Sequence, residues 1–441
     1  MTESSRREFL RQGGRLAAAC GLATAVVPRV HAAEDNTIRL ALIGCGGRGT
    51  GAAVNVFEAP GGPVKLTAMA DLYQDRLDAS HRILSERHPP QVDVPPERRF
   101  VGFDAYRHAI DGLRPGDIAM LTGYAAWRPL QLEYAVQKGV HVFMEKSFAC
   151  DPPAARRIIA AGEAAKKKNL KIAGGLMNRH SSNRQEFIRR IRDGALGEIL
   201  LVRVCVAGKV GTRLRPRPPS ENELDWQIRH FTSFFWVSGG AFAEPNIHPI
   251  DEICWIKDAW PIAAQGIGGR SATTSNSNQN LDSYAVEFTF ADGTKATDFN
   301  RCKETATYIH GTKCSAQFSS NLCEGTVRIF KDQRIDRGNI AWQADKEPIT
   351  PWQIEWNVLL DAIRNDRPHN EAHRSAMSNL ADIMGRAAAH SKRLVTWDET
   401  TASNFQWCPN VDAMNHETPP PVQADPQGCY PAPVTDAWSE I

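Results

Sequence analysis

Three groups of residues in this chain have the types and spacing to do chemistry. The first is Gly44-Cys45-Gly46-Gly47-Arg48-Gly49, a Gly-x-Gly-x-x-Gly run directly after the apolar stretch Ile38–Ile43. In that position the first glycine permits a tight turn. The second lets a pyrophosphate approach the backbone, and the third lets the following helix pack closely on its strand. The start of that helix adds free N–H groups and a partial positive charge. A glycine turn that holds no ligand is the simpler alternative. Asp71 closes the next apolar run, where a carboxylate can accept hydrogen bonds from ribose hydroxyls and repel a 2′-phosphate, which favours NAD over NADP. A plain helix-capping or loop role also fits Asp71, and Arg76 keeps NADP open.

The second group is Glu145-Lys146, after a further apolar run; taken alone, such a pair is usually solvated surface. The third is Gly239-Gly240-Ala-Phe-Ala-Glu244-Pro-Asn-Ile-His248-Pro-Ile-Asp251. On a helix, the spacings of four and three put an acid, an imidazole and a second acid on one face. A buried structural histidine or half a metal site fits the same residues, but no second His or Cys cluster completes four ligands, so no metal is expected.

The elements that must position these groups alternate through the first half. Strands are predicted at Ile38–Ile43, Val64–Ala70, Arg99–Val101, Asp117–Thr122, Val140–Met144 and Leu170–Ala173, separated by helical stretches. That rhythm predicts a parallel, doubly covered sheet of the Rossmann kind over residues 36–176. Beyond Gly175 the pattern turns to strand runs and hairpin turns, such as Glu198–Val206 and Tyr284–Phe290 with Ala291-Asp292-Gly293-Thr294, and to late helices at Trp356–Arg364 and His373–Ser391. Residues 177–400 are therefore read as a second α/β domain with a large, mostly antiparallel open sheet. Six prolines after Thr418 forbid a terminal helix, and residues 401–441 are expected to run extended over the surface.

Charge excludes two partner classes. With 52 Lys plus Arg against 50 Asp plus Glu, the chain has no electrostatic footprint for nucleic acid or an anionic membrane. The N-terminus reads Ser5-Arg6-Arg7-Glu8-Phe9-Leu10-Arg11, then an apolar stretch, then Val30-His31-Ala32, which resembles a twin-arginine signal peptide cleaved after Ala32. About twelve apolar residues are too few for a permanent membrane span. Export to the periplasm, already folded and with a cofactor in place, is the expectation. The cysteines fit it: outside the signal they number nine, with no Cys-x-x-Cys, so no disulfide framework is expected.

The glycine run, Glu145-Lys146 and Gly239-Gly240 leading to His248 and Asp251 together resemble the Gfo/Idh/MocA oxidoreductases, over roughly residues 36–400. The resemblance extends to Asn178-Arg179-His180, Asp193-Gly194-Ala-Leu-Gly197 and Arg364–Glu371, stretches closest to the exported, twin-arginine branch. It implies a nicotinamide cofactor held by Gly44, Gly46, Gly47, Arg48, Gly49, Asp71, Thr122 and Glu145. It also implies a sugar or polyol substrate and an open sheet that often supports oligomerisation, so a homo-oligomer is expected. Lys146 is implied to hydrogen-bond the reacting oxygen and His248 to exchange its proton. Such roles suit an ammonium stabilising a developing alkoxide and an imidazole titrating near neutrality.

The chain departs from that family at several positions. Ser147 stands where the family has proline, so a trans bond is expected there. Thr122-Gly123-Tyr124 replaces Thr-Pro, Arg128 falls where a histidine is common beside the nicotinamide, and Glu244 replaces an aspartate. Arg128, if it faces the cleft, would favour an anionic sugar; an exposed helix-start arginine is the alternative. Arg179, His180, Trp226, Glu244 and Asp251, with Arg229 and His230, are candidate substrate contacts, and Arg213, Arg215 and Arg217 a solvated loop. Besides a dehydrogenase, the residues admit an NAD-retaining glycoside hydrolase that works by transient oxidation, and a non-catalytic binding protein.

Overall fold

Ile38–Ile43 (β1), Val64–Asp71 (β2), Arg99–Val101 (β3), Ile118–Leu121 (β4), His141–Met144 (β5) and Ile172–Gly174 (β6) pair in parallel in the order β3-β2-β1-β4-β5-β6. The runs are nearly all apolar because helices cover both faces, and of the inner strands only Arg39 and Lys65 are partly exposed. The strand order reverses between β1 and β4, and at such a switch point the diverging connections open a crevice at the carboxyl ends of the strands. This computed structural model describes residues 36–207, 214–271, 276–318, 325–433 and 438–441. The proposed signal at 1–32, Arg213 and Cys323 lie outside the described residues.

The second sheet has nine strands. They are Ile199–Ala207 (β7), Ala263–Gly269 (β8), Ser283–Thr289 (β9), Lys295–Cys302 (β10), Ala306–Gly311 (β11), Ser315–Phe318 (β12), Val327–Phe330 (β13), Ile340–Gln343 (β14) and Val395–Thr396 (β15). Their order is β14-β13-β12-β11-β7-β10-β9-β8-β15, with only β7 and β10 parallel. Burial alternates along β9 and β10. One face is therefore packed, under the helices Gly240–Lys257 and Ala372–Ser391, and the other is open. The α/β class and the two-sheet architecture are as the sequence predicts.

Residues 38–441 form one compact unit, and two late segments knit the sheets together. The helix Pro351–Arg364 returns to the parallel sheet, where Trp356 stacks on Phe143 with ring centroids 4.2 Å apart. Among its described residues the Pro-rich tail contains no α-helix after Thr418, but it does not stay on the surface. Tyr430 packs edge-on against Phe234, and Glu440 is buried between Arg386 and His390. A buried guanidinium needs a carboxylate, and the tail supplies it. No helix among the described residues is long and apolar enough to cross a membrane.

Candidate active site

The glycine turn after β1 is built as its spacing requires. Gly44 has φ +97°, and a Cβ there would lie 2.3 Å from the Gly123 nitrogen; at Gly49 it would lie 2.1 Å from the Gly44 carbonyl oxygen. Thr122 pins the turn by donating its hydroxyl to that same oxygen at 2.6 Å. At Gly46 and Gly47, by contrast, a Cβ would meet nothing within 4 Å. That leaves the backbone bare toward open space. The helix Gly47–Glu58 begins there with no side-chain cap, so the N–H groups of its first turn are left to an anion. These differences predict separable effects. Gly46→Val should leave thermal stability within about 1 kcal/mol of the parent while weakening dinucleotide binding at least about tenfold. Gly49→Ala should instead lower stability, which paired calorimetry and binding titrations would read.

A cavity of about 880 Å³ opens from this turn. Its wall includes Gly44, Gly46, Gly47, Arg48, Gly49, Asp71, Arg76, Thr122, Tyr124, Glu145, Lys146, Phe231 and Glu244. Every residue assigned to the cofactor from sequence thus lies on one surface. Asp71 accepts from the Cys45 nitrogen at 2.6 Å and the Tyr73 nitrogen at 2.9 Å. Burial nevertheless raises its pKa above the usual carboxylate value, with those two bonds opposing. Arg76 is held over the Tyr73 and Tyr124 rings and donates to the Tyr124 hydroxyl. Arg48 pairs with Glu145 at 3.2 Å. An open, uncapped helix start and a carboxylate at the end of β2 fit the pyrophosphate and ribose of a dinucleotide.

At the other end of the cavity wall, Lys146 donates to Glu244 twice, to Oε2 and to the backbone carbonyl, both at 2.8 Å. The Lys146–Ser147 peptide is cis, correcting the trans expectation. The segment is fixed from outside: Phe148 and Ala149 nitrogens donate to Asn379 Oδ1 at 2.8 and 3.0 Å, and Asn379 Nδ2 donates back to Ala149. Glu244, His248 and Asp251 do share a helix, Gly240–Lys257, entered through Gly239 and Gly240 at φ +86° and +85°.

His248, four residues after Glu244 on that helix, is buried and does not line the cavity, and its Nδ1 has no hydrogen-bond partner among the described residues. Burial and the nearby Lys146 ammonium push its pKa down to about 3, so the expectation of an imidazole titrating near neutrality is corrected. It is a neutral acceptor throughout the physiological range.

Several sequence candidates lie elsewhere. Arg128 is wholly buried and donates to the Leu121 and Gly123 carbonyls at the end of β4, the second at 2.6 Å; it does not face the cavity. Trp226 is also buried, against the His230 ring 3.8 Å away. Asp251 and Arg179 neutralise each other at 2.7 Å, and His180 lies 3.3 Å from buried Glu371. None of these residues is on the cavity wall, and neither is His248. Arg229 forms a two-pronged pair with Asp75, at 3.0 and 3.1 Å, and covers the Tyr73 ring. Phe231 lies against Tyr124, and both line the cavity. Phe231 and Tyr124 were not singled out from sequence as ligand contacts; the Trp226–His230 cluster was the available signal, and it pointed one turn too early.

No family model and no curated protein matches the sequence. Solved structures do share its architecture. The chain is similar to aldose-aldose oxidoreductase from Caulobacter crescentus complexed with glycerol, at 17% identity and a TM-score of 0.61, over 82% of this chain and 99% of that one. It is similar to scyllo-inositol dehydrogenase from Lactobacillus casei with bound NAD(H) and scyllo-inositol, at 20% identity and 0.60, with the same coverage. A third, myo-inositol 2-dehydrogenase from Lactobacillus plantarum, matches at 17% identity and 0.59, again over 82% and 99%. At these identities the likeness is one of fold.

Proposed function

We propose that this chain is a nicotinamide-dependent oxidoreductase of the Gfo/Idh/MocA type, moving a hydride between NAD and a carbon-bound hydroxyl or carbonyl of a sugar or polyol. The observation that carries the reading is the single cavity whose wall runs from the open glycine turn to the Lys146–Glu244 pair. The solved neighbours named for aldoses and inositols support the substrate class. In this reading residues 36–176 hold the dinucleotide, residues 177–400 close over it and support a homo-oligomer, and residues 1–32 direct export by the twin-arginine route.

Bound there, a nicotinamide supplies the hydride acceptor or donor. The chain supplies placement and charge. Lys146 donates from Nζ to the reacting oxygen, stabilising the alkoxide that develops as hydride departs. Glu244 aims the ammonium. His248, buried just outside the cavity wall and neutral, is the candidate acceptor for the hydroxyl proton. An imidazole so depressed is a weak base, so alkoxide stabilisation by Lys146 carries the larger share of the rate.

The test is a screen of sugars and polyols on protein loaded with NAD, following nicotinamide fluorescence and product together. Sustained reduction of the nicotinamide supports the dehydrogenase. Release of sugar from an aryl glycoside without net reduction overturns it for a hydrolase, and an unchanging bound cofactor overturns it for a binding protein. Asp71 sets a second expectation. NAD should bind at least about tenfold more tightly than NADP, and Asp71→Ser should narrow that ratio in parallel titrations.

A further inference from the structure

Behind the Lys146–Glu244 pair lies a carboxyl that no hydrogen bond explains. Asp382, on the helix Ala372–Ser391, is fully buried, and neither of its oxygens has a hydrogen-bond partner among the described residues. Its place is bracketed by its neighbours on the helix. One turn earlier, Ser378 donates to Asp251 at 2.6 Å, and Asn379 clamps the backbone just after Lys146-Ser147. One turn later, Arg386 donates to the Gly239 and Cys150 carbonyls at 3.0 and 3.1 Å. Residues four apart share a helix face. Asp382 therefore points at the stretch of the Gly240–Lys257 helix between its start and Asp251, the stretch that carries Glu244, and at the Lys146-Ser147 turn.

We propose that Asp382 is a positioning residue for Lys146, a buried acid whose ionisation draws the lysine ammonium away from the substrate oxygen. The inference rests on the oxidoreductase reading. While the carboxyl is protonated, the Lys146–Glu244 pair is electrically balanced and the ammonium can be shared with a substrate. When it ionises, a second carboxylate competes for the same ammonium in the ground state, and that interaction is lost from the transition state.

The charged and titratable groups facing Asp382 are known from each packed element. They are Arg386 on its own helix, Glu244 on the facing helix, Lys146 after β5, Asp298 on β10 and Glu440 in the tail. Arg386 is already engaged by Glu440 at 2.6 Å, and Lys146 by Glu244, so neither cation is left whole for Asp382. Asp298, whose Oδ2 accepts from Asn246 at 2.7 Å, adds a like charge nearby when ionised. Burial is the largest influence and carries the Asp382 pKa up to about 7, in agreement with the geometry.

The test uses the full chain loaded with NAD and a substrate found in the screen above, comparing the parent, Asp382→Asn and Asp382→Ala. In the parent, kcat should fall as pH rises through about 7 with little change in KM. Asp382→Asn and Asp382→Ala, neither of which can ionise, should both lose that fall, and Asp382→Asn should stay within about threefold of the parent on the acid side. Chemical unfolding against pH gives a reading independent of turnover. An acid whose pKa is raised on folding stabilises the protein below its unfolded value and loses that contribution as pH climbs to the folded one. The parent should therefore weaken relative to Asp382→Asn between about pH 4 and 7.

Parallel unfolding profiles would show that Asp382 does not titrate there and overturn the inference whatever reaction is found. Diverging unfolding profiles with superimposable rate profiles would overturn the positioning role alone. If the unfolding profiles diverge but no sugar or polyol is turned over, the oxidoreductase reading has failed, and the role for Lys146 falls with it.

Discussion

Replacing Lys146 with methionine is expected to lower turnover about a thousandfold while the dinucleotide stays bound, because the side chain keeps its length and loses only the charge that meets the developing alkoxide. His248→Gln should cost less, about a hundredfold. The order follows from the site. Lys146 is partly open on the cavity wall and shares its ammonium with Glu244, whereas His248 is buried and held neutral by burial and that ammonium. Single-turnover nicotinamide absorbance would measure both, and an equal or reversed loss would refute the assignment of the larger share to Lys146. The same depression fixes a pH sign. The unfolded chain protonates this histidine below about 6.5, the folded one only near 3, so His248 withdraws stability as pH falls through that window. His248→Gln should unfold less readily in acid, relative to its own neutral value, than the parent does.

Glu440→Gln is expected to destabilise the protein by about 3–5 kcal/mol, the cost of stranding a buried guanidinium. Glu440 accepts from Arg386 Nε at 2.6 Å, His390 Nδ1 at 2.8 Å and Trp438 Nε1 at 2.9 Å. Arg386 in turn holds the carbonyls of Gly239 and Cys150, so the tail braces both entry to the Gly240–Lys257 helix and the loop after Lys146. Arg386, then His390, keeps the Glu440 carboxyl well below the usual range against its burial. Its contribution is therefore complete above the unfolded pKa near 4.5 and fades only as pH falls below that. Urea midpoints at neutral pH would measure the loss; a change under about 1 kcal/mol would mean that the pair contributes little.

The first half of the fold was legible because its strands are continuous apolar runs and its glycines sit where a turn must be. The second half was less so, for identifiable reasons. Ala263–Gly269 forms β8 from Ala, Gln, Gly and a single Ile, with none of the branched density that marks a strand. In β10 the packed face carries Ala296, Asp298 and Asn300, so a polar pair hides the alternation. The Gly240–Lys257 helix contains Pro245 and Pro249 and is buried on nearly all sides, which erases an amphipathic stripe. At the site, Gly44–Gly49 and Asp71 could be read from spacing and position and Glu244 from its helical spacing with His248, whereas Glu145 and Lys146 stood out only through the family resemblance. Arg128 could not, since an arginine beside Pro129 at a helix start reads as solvated until the bare carbonyls closing β4 are seen. Asp382 and Glu440 had no local signal at all. Each matters only through residues remote in sequence.

The tether between Arg229 and Asp75 has a bearing on how the molecule would be used. Together with Tyr73 donating to Asp225 and Phe231 lying against Tyr124, it ties the 223–234 segment to residues that line the cavity. In the proposed reading these contacts would slow the departure of a dinucleotide. The slower that departure, the more a withdrawn hydride would be returned to a second guest at the same seat instead of leaving with the cofactor.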